Sequence, residues 1–341
     1  MEFYIYDDAG VKVDILQNVS SIQWKRRYFT TGEFEIHCRA TETNLKYLRD
    51  PYRIVNNETQ EIGFIRYTYP SISDDGQDEM EVRGYMDNLD HRVNTKTRHI
   101  TNVETGLYNL VNANIRYLPI AIAPTKGLSA TVDHDTTWQE LRTTFQELCM
   151  EVGYGYRMLK NGSTMNQIEI YERGINENVK FSDKIGNIIA QAYLLDTADW
   201  KNYAYVAAEG ESSQRFVIEI DQRKYSYGER RRELYVDARQ IQRKYTDESG
   251  QEREYTEEEY RNVVRDYGLQ KLKEHNRQIL FECDINANDT LYTYKKDYFL
   301  GDVIRTVSEK YGLNTLMRIT GVDEILEDDT RVNLILEQYE E

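Results

Sequence analysis

The groups in this 341-residue chain that could do chemistry are five histidines, three cysteines and 59 carboxylates. His37, His91, His99, His134 and His275 show no H-x-x-x-H, H-E-x-x-H or cysteine-paired spacing, so no metal ligand set can be assembled from them. Cys38, Cys149 and Cys283 are odd in number and far apart, which rules out a zinc motif or a disulfide framework. Cys38 and Cys149 fall in apolar registers and read as small core residues. There is no G-x-S-x-G and no P-loop. Gly153-x-Gly155 lacks the rest of a dinucleotide fingerprint and precedes a strand rather than a helix. His134-Asp135 stands beside a predicted helix start and is expected to cap it. The acidic run Asp74, Asp75, Asp78, Glu79 lacks the ligand order and closing glutamate of an EF-hand and is expected to be a hairpin turn. Carboxylate pairs of the glycosidase kind meet only in the fold, so the sequence leaves them open. No catalytic, cofactor-binding or metal residue is assigned, no cofactor is expected, and the chain is read as not an enzyme.

Composition narrows the class. The formal net charge is −16, with 40% hydrophobic and 30% charged residues. An acidic chain is ill suited to gripping phosphates; its charge either maintains solubility or forms a wall that nucleic acid slides past. No specific nucleic-acid binding is expected. The length calls for two or more domains, and only four prolines argue against long disordered linkers. Tyrosine, present 28 times, suits strands and interfaces. The opening MEFYIYDDAG has no basic n-region or apolar h-region, and no run approaches the ~18 apolar residues of a membrane span. Synthesis in a cytoplasm, no ordinary secretory export and no stable membrane insertion are expected.

The elements follow from periodicity. Ser20–Ala40 reads as two strands: Ile22, Trp24 and Arg26 share one face, and Phe34, Ile36 and Cys38 share another. Lys25, Arg27, Glu33 and Glu35 alternate with them and face water or a partner. Thr30-Thr31-Gly32 supplies the turn, with Gly32 expected at positive φ. Before it, Glu2–Tyr6 and Val11–Leu16 form a hairpin. A short helix follows, capped by Thr41 with Leu45 and Leu48 inward. Strands at Tyr52–Val55, Gln60–Tyr69 and Glu79–Tyr85 come next.

From Asn102, Val103, Leu107, Leu110 and Val111 recur at helical spacing. Thr136–Gln139 predicts a capping box opening a helix with Trp138, Leu141, Phe145, Leu148, Cys149 and Val152 on one stripe, ended by Gly153. A hairpin over Tyr154–Tyr171, further strands, a small hairpin turning at Asp247–Gly250, and a helix opened by Thr256–Glu259 follow. Four strands in Ile279–Gln338 complete the chain.

Arg53–Tyr85 and Asp302–Tyr339 share one pattern of strand, turn, strand, acidic turn, strand, with Asp328-Asp329 standing for Asp74-Asp75 and a central arginine (Arg66, Arg318) in each middle strand. This reads as an internal repeat. The expected architecture is β-rich α+β, with two antiparallel β-barrels and inserted α+β domains. Residues 1–95 would form the first barrel and 96–175 an α+β insertion. The second barrel would be discontinuous, 176–225 with 278–341, around a hairpin-plus-helix insertion at 226–277.

Several ordered blocks carry a resemblance. Trp24, Arg26, Tyr28, Gly32, Phe34, Glu35 and Ile36 resemble the opening signature of the Gp37-like tail proteins of siphophages, within the gp27-like baseplate hub and tail-tip superfamily. Asn202–Val206 resembles the family's N-x-A-Y-V strand, and Glu209-Gly210-Glu211 with Arg215 resembles the turn that follows, although Ala207-Ala208 stand where a glycine is more usual. Arg232–Arg239 is similar to an R-E-L-F-V-D-A-R block with Tyr235 for phenylalanine. Tyr294, Asp297, Tyr298, Leu300, Gly301 and Asp302 are similar to a D-Y-x-L-G-D motif. The resemblance implies tail-tube-like barrels and a homotrimeric hub at the distal end of a phage tail, lining a DNA channel. Its implied partners are a distal tail or tail-tube protein ring, a tape-measure protein and a tail fibre or receptor-binding protein. The last predicted strand ends near Glu341, so a wall-degrading domain is expected to be separate or absent. A cell-wall glycan-binding module and a tail-associated peptidoglycan hydrolase are the competing readings.

Overall fold

The computed structural model describes residues 2–72, 76, 78–162, 165–211, 214–223, 231–246, 251–285, 291–327 and 330–339. The chain divides into two compact units, Met1–Ala192 with Phe281–Glu341, and Tyr193–Leu280.

The first unit opens with β1 (Phe3–Tyr6) and β2 (Lys12–Ile15), joined through Gly10 at φ 79°. The expected hairpin is β3 (Val19–Arg27) and β4 (Glu33–Arg39), with Trp24 opposite Phe34 and Ile22 opposite Ile36. Ile22, Trp24, Arg26, Phe34, Ile36 and Cys38 are all buried. Gly32 does not take a positive φ. It is required because a β-carbon there would lie 2.4 Å from Met86 Sδ and 2.6 Å from the Lys25 carbonyl oxygen. In α1 (Glu42–Tyr47) the Thr41 side chain accepts the Asn44 N–H. Leu48 is buried, but Leu45 points outward, and Asn44 takes the inward place by donating to the Arg39 carbonyl. The meander β5 (Arg53–Asn56), β6 (Ile62–Ile72), β7 (Asp78–Tyr85) follows.

Between the β regions lie β8 (Arg98–Asn102), α2 (Val103–Asn114), β9 (Ile120–Ile122), β10 (Thr131–Thr136), α3 (Leu141–Val152), β11 (Gly155–Asn161) and β12 (Met165–Tyr171). The stripes of α2 and α3 pack on β11 and β12 in one apolar core, which also takes in Val55, Ile62 and Phe64. The expected capping box fails: Thr136 belongs to β10, and α3 begins after Glu140, which makes no side-chain cap. Trp138 leaves the stripe, 74% exposed and at φ 51°. His134-Asp135 is likewise in β10 and not a cap; Asp135 Oδ1 sits 3.0 Å from His99 Nδ1 on β8. Gly153 does end α3, at φ 78°.

After β13 (Ile175–Ser182) and β14 (Ile188–Asp196) the chain builds the second unit. Here β15 (Tyr203–Ala207) lies between antiparallel β16 (Val217–Asp221) and parallel β17 (Glu233–Asp237). The hairpin β18 (Lys244–Thr246) and β19 (Glu252–Glu254) precedes α4 (Glu257–Lys273). Thr256 and Glu259 form the predicted capping box. Tyr260, Val264 and Leu272 of α4 pack on Ala204, Val206 and Ile220. The second unit thus spans 193–280 and not 226–277, because β15 and β16 pair with β17 in one sheet.

The chain closes with β20 (Gln278–Ile285), β21 (Val303–Ser308), β22 (Leu313–Leu326) and β23 (Thr330–Gln338). The expected barrels are not hydrogen-bonded as separate closed bodies among the described residues. Their strands share one 13-stranded sheet, ordered β14-β20-β23-β22-β3-β4-β7-β6-β5-β1-β2, with β21 also on β22 and β13 on β21. The join is β22 on β3, from Gly321 opposite Arg27 to Leu326 opposite Ile22.

The repeat is wider than its two meanders. Outward from β3 the order is β3-β4-β7-β6-β5-β1, and outward from β14 it is β14-β20-β23-β22-β21-β13. Numbered along the chain within its own set, each order runs second, third, sixth, fifth, fourth, first. Both middle strands carry a register shift against the following strand, at Arg66 in β6 and at Thr320 in β22. Arg66 therefore matches Thr320, not Arg318. The sets differ at one end, where β1 is antiparallel to β5 but β13 is parallel to β21. The acidic turns at 74–75, 247–250 and 328–329 lie outside the described residues.

Candidate functional site

Strand alternation turns Arg26 of β3 inward beside Trp24. A charge buried there needs partners, and they come from both ends of the chain. Glu61 stands just before β6, after a turn in which Asn56 Oδ1 accepts the N–H groups of Glu58 and Thr59. Arg26 Nε lies 2.8 and 2.7 Å from the two Glu61 oxygens, and Arg26 Nη1 donates to Glu324 of β22. Glu61 also accepts from Trp24 Nε1 at 3.1 Å and from the Thr59 hydroxyl at 2.8 Å. Lys295 Nζ reaches Glu324 at 3.0 Å. Beside them, Arg27 on the other face of β3 pairs with Asp323.

Burial alone would push the Glu61 carboxyl up. The Arg26 charge and the hydrogen bonds from Arg26, Thr59 and Trp24 outweigh it and hold the group down at about 2. Burial likewise opposes the Arg26 charge, but Glu61, Tyr294 and Glu324 more than offset it and raise its pKa.

One step along the chain, the Tyr28 N–H donates to the Thr320 carbonyl. The Tyr28 hydroxyl accepts the Arg173 N–H at 3.1 Å and donates to the Gly153 carbonyl at 3.2 Å. Its ring is flanked by two glycines: a β-carbon on Gly155 would lie 2.4 Å from Cε2, and one on Gly301 2.2 Å from it. The Arg318 guanidinium lies over the same ring, 5.2 Å from its centroid, and donates to the carbonyls of Gly301 and Arg173. Asp302 accepts the Phe299 N–H and the Asn176 amide. Burial pushes the Tyr28 phenol up to about 12 and raises Tyr294 and Tyr298 as well.

A cavity of about 310 Å³ is lined by Arg26, Glu61, Arg157, Tyr171, Tyr294 and Phe299 among others. Of its carboxylates, Glu61 is paired with Arg26 and Asp87 with Arg142, and burial keeps the phenols of Tyr156, Tyr171 and Tyr294 protonated at neutral pH. The arrangement ties β3, β6, β22 and the 291–302 segment together; it does not poise a group for proton transfer. Elsewhere, Glu35, His37 and Glu81 on neighbouring strands bring one ligand atom each within 4.8 Å of one another. Arg83 already pairs with both glutamates, and the His37 hydrogen bond is the main force holding the Glu35 carboxyl down. Sequence spacing could not show this trio, because it spans paired strands.

Over residues 2–337 the sequence matches the family described as Siphovirus ReqiPepy6 Gp37-like protein. The chain belongs to that family. No curated protein matches it. Among solved structures, a 43 kDa tail protein of prophage MuSo2 from Shewanella oneidensis is similar at TM-score 0.64 and 10% identity, covering 99% of this chain and 98% of that one. A tail protein from Neisseria meningitidis MC58 is similar at TM-score 0.60 and 10% identity, over 99% and 97% of the two chains. Prophage tail protein gp18 from Listeria monocytogenes EGD-e is similar at TM-score 0.56 and 12% identity, over 99% and 95%. The fold is that of phage tail proteins.

Two blocks that carried the Gp37-like resemblance meet in the first unit. The opening Trp24-Arg26-Tyr28 faces the closing Tyr294–Asp302, with Arg26 over the Tyr294 ring and Tyr28 against Gly301. The other two meet in the second unit, where β15 and β17 pair and Arg215 donates to the carbonyls of Ala207 and Ala208 and pairs with Asp237. Sequence reasoning missed Glu61, Glu324 and Lys295. The signal for Glu324 was a carboxylate inside an apolar alternation, Val322-Asp323-Glu324-Ile325; the position of Glu61, just before Ile62-Gly63-Phe64-Ile65, is a weaker one.

Proposed function

We propose that the chain is a non-enzymatic tail-tip component, a trimeric baseplate hub that adapts the six-fold tail tube to a three-fold tip and lines the DNA channel. The observation that carries this reading is the shared strand order of the two sets, β1 with β3 to β7 and β13 with β14 and β20 to β23. Each set is one tube-like module. Two modules in each of three chains present six similar faces to a six-fold ring. A net charge of −16 per chain suits a wall that repels DNA phosphates and does not bind them. The Arg26 network holds the two modules of one chain in a fixed relation, as a ring requires. The neighbours in the particle would be a distal tail or tail-tube ring, the tape-measure protein and a fibre or receptor-binding protein.

Native mass spectrometry of the purified chain tests this. A species of three times 40.4 kDa is expected, together with binding to the tail-tube or distal tail protein of the same phage. A strict monomer that binds neither overturns the reading.

A further inference from the structure

The cavity beside the Arg26 network is cationic in an acidic chain. Arg26, Arg27, Arg157, Arg173 and Lys295 stand on its wall against three carboxylates, Glu58, Glu61 and Asp87, whereas the whole chain carries −16. All of these residues belong to the first unit.

The cations are unequally matched. Arg26 pairs with Glu61 and Glu324, Arg27 with Asp323 and Lys295 with Glu324. Arg157 donates only through Nε, to Glu169 at 2.6 Å, and Lys126 already holds Glu169 at 2.7 Å. The Arg173 guanidinium makes no hydrogen bond among the described residues; Asp302 Oδ1 lies 3.8 Å from its Nη1. Each of these two groups lies against a ring that also lines the cavity. Arg157 is 5.1 Å from the Tyr171 centroid and Arg173 4.4 Å from that of Phe299. A ring covers the face of a guanidinium and leaves its N–H edge, which suits a planar anion accepting two parallel hydrogen bonds. Strand pairing sets Gly155 opposite Tyr171, so Arg157 and Arg173 each stand two residues from one cross-strand pair.

We propose that this cavity binds a small carboxylic acid through Arg157 and Arg173, a single carboxylate on a flat apolar body. The three carboxylates on the same wall oppose a second negative charge, so a monoanion fits better than a phosphate dianion. Met86, Met158, Phe299 and Leu300 supply the apolar part of the wall. At about 310 Å³ the cavity stands at the low end of small-ligand pockets, which begin near ~300 Å³. An acid held there touches wall residues from β3, from β11 and from the 291–302 segment, and braces the elements that the Arg26 network ties. The inference goes beyond the ring reading and stands on the lining alone, so either can fail without the other.

Isothermal titration calorimetry of the full chain with benzoate tests it. Benzamide is the neutral analogue of the same shape, and inorganic phosphate the anion without an apolar body. Expected is saturable benzoate binding, at least tenfold weaker for Arg157→Gln and for Arg173→Gln, and unchanged for Arg83→Gln, which lies outside the cavity. Benzamide and phosphate should bind at least tenfold more weakly than benzoate. Near-UV circular dichroism checks folding, and Arg157→Lys or Arg173→Lys, which keeps the charge but loses the fork, replaces a glutamine variant that does not fold and should weaken binding as well. Absence of saturable benzoate binding at millimolar concentration, equal binding by the cavity variants, or equal binding of benzamide or phosphate overturns the site. Trimer formation, read on the same samples by native mass spectrometry, reports separately on the ring reading.

Discussion

Gly301 stands at φ 95° against the face of Tyr28, so close that a β-carbon would fall 2.2 Å from one ring atom and 2.6 Å from the next. Gly301→Ala combines a conformation disfavoured for L-residues with overpacking of a buried ring, and should cost roughly 3–5 kcal/mol. Gly312→Ala has a similar φ of 64° but nothing within 4 Å, so it should cost only about 1 kcal/mol. Paired urea melts of the two variants check this; equal losses would show that the Tyr28 contact is not what requires the glycine.

Acid should weaken the Arg26 network. The Glu61 carboxyl is held at about 2, below its ordinary 4.5. A depressed carboxylate adds stability that is fully present above the unfolded-state value and lost as pH falls through the folded one. The loss should therefore run between about pH 4.5 and 2 and amount to roughly 3 kcal/mol. Glu61→Gln should flatten that limb of the stability curve, measured by denaturant titration at stepped pH.

Removing one partner and removing the whole network should differ in size. Glu61→Gln leaves Arg26 buried beside Glu324 with a charge only partly matched, and should cost about 3–5 kcal/mol. The quadruple change Arg26→Met, Glu61→Met, Glu324→Met, Lys295→Met, which takes out Lys295 along with its partner Glu324, leaves no charge of the network unmatched and should recover most of that loss in thermal melts.

Trp24 packs between Phe3 and Phe34, at 5.0 and 5.5 Å between ring centroids, with no exposed surface. Trp24→Ala should cost roughly 3–5 kcal/mol. Trp24→Phe keeps much of the packing but takes a donor from Glu61, and should cost about 1–3 kcal/mol. The monomer's own melt should show both effects, because the ring is in the core and not on a contact surface.

The second unit should respond separately. Gly268 of α4 lies where a β-carbon would be 2.4 Å from Val206 Cγ2 and 2.6 Å from Ile220 Cδ1. Gly268→Val should lift α4 from its sheet and lower only one of two calorimetric transitions. A uniform shift of a single transition would contradict it.

Much of the fold could be read from period and punctuation. The alternation of Trp24 and Arg26 with Lys25 and Arg27 gave the β3 face, and Thr256 with Glu259 gave the start of α4, because both signals are local. Thr136 misled because the same residues that cap a helix also suit the end of a strand, and pairing with β8 decided the matter. The join was not legible: no local signal says that β22 changes neighbours from β21 to β3 midway. Arg318 invited a false match to Arg66 for the same reason, since only pairing reveals where a register shift falls. The Arg26 network stayed hidden because its members are up to 298 residues apart.

Strand β3 waits on β22 for its outer neighbour, and β22 begins at Leu313. A ribosome therefore adds nearly 300 residues after Arg27 before Gly321 can shelter this hairpin. Until then the outer side of β3 is open to neighbouring nascent chains, and termination before Gly321 would yield fragments inclined to clump, which puts a demand for chaperone care on the β3–β4 hairpin.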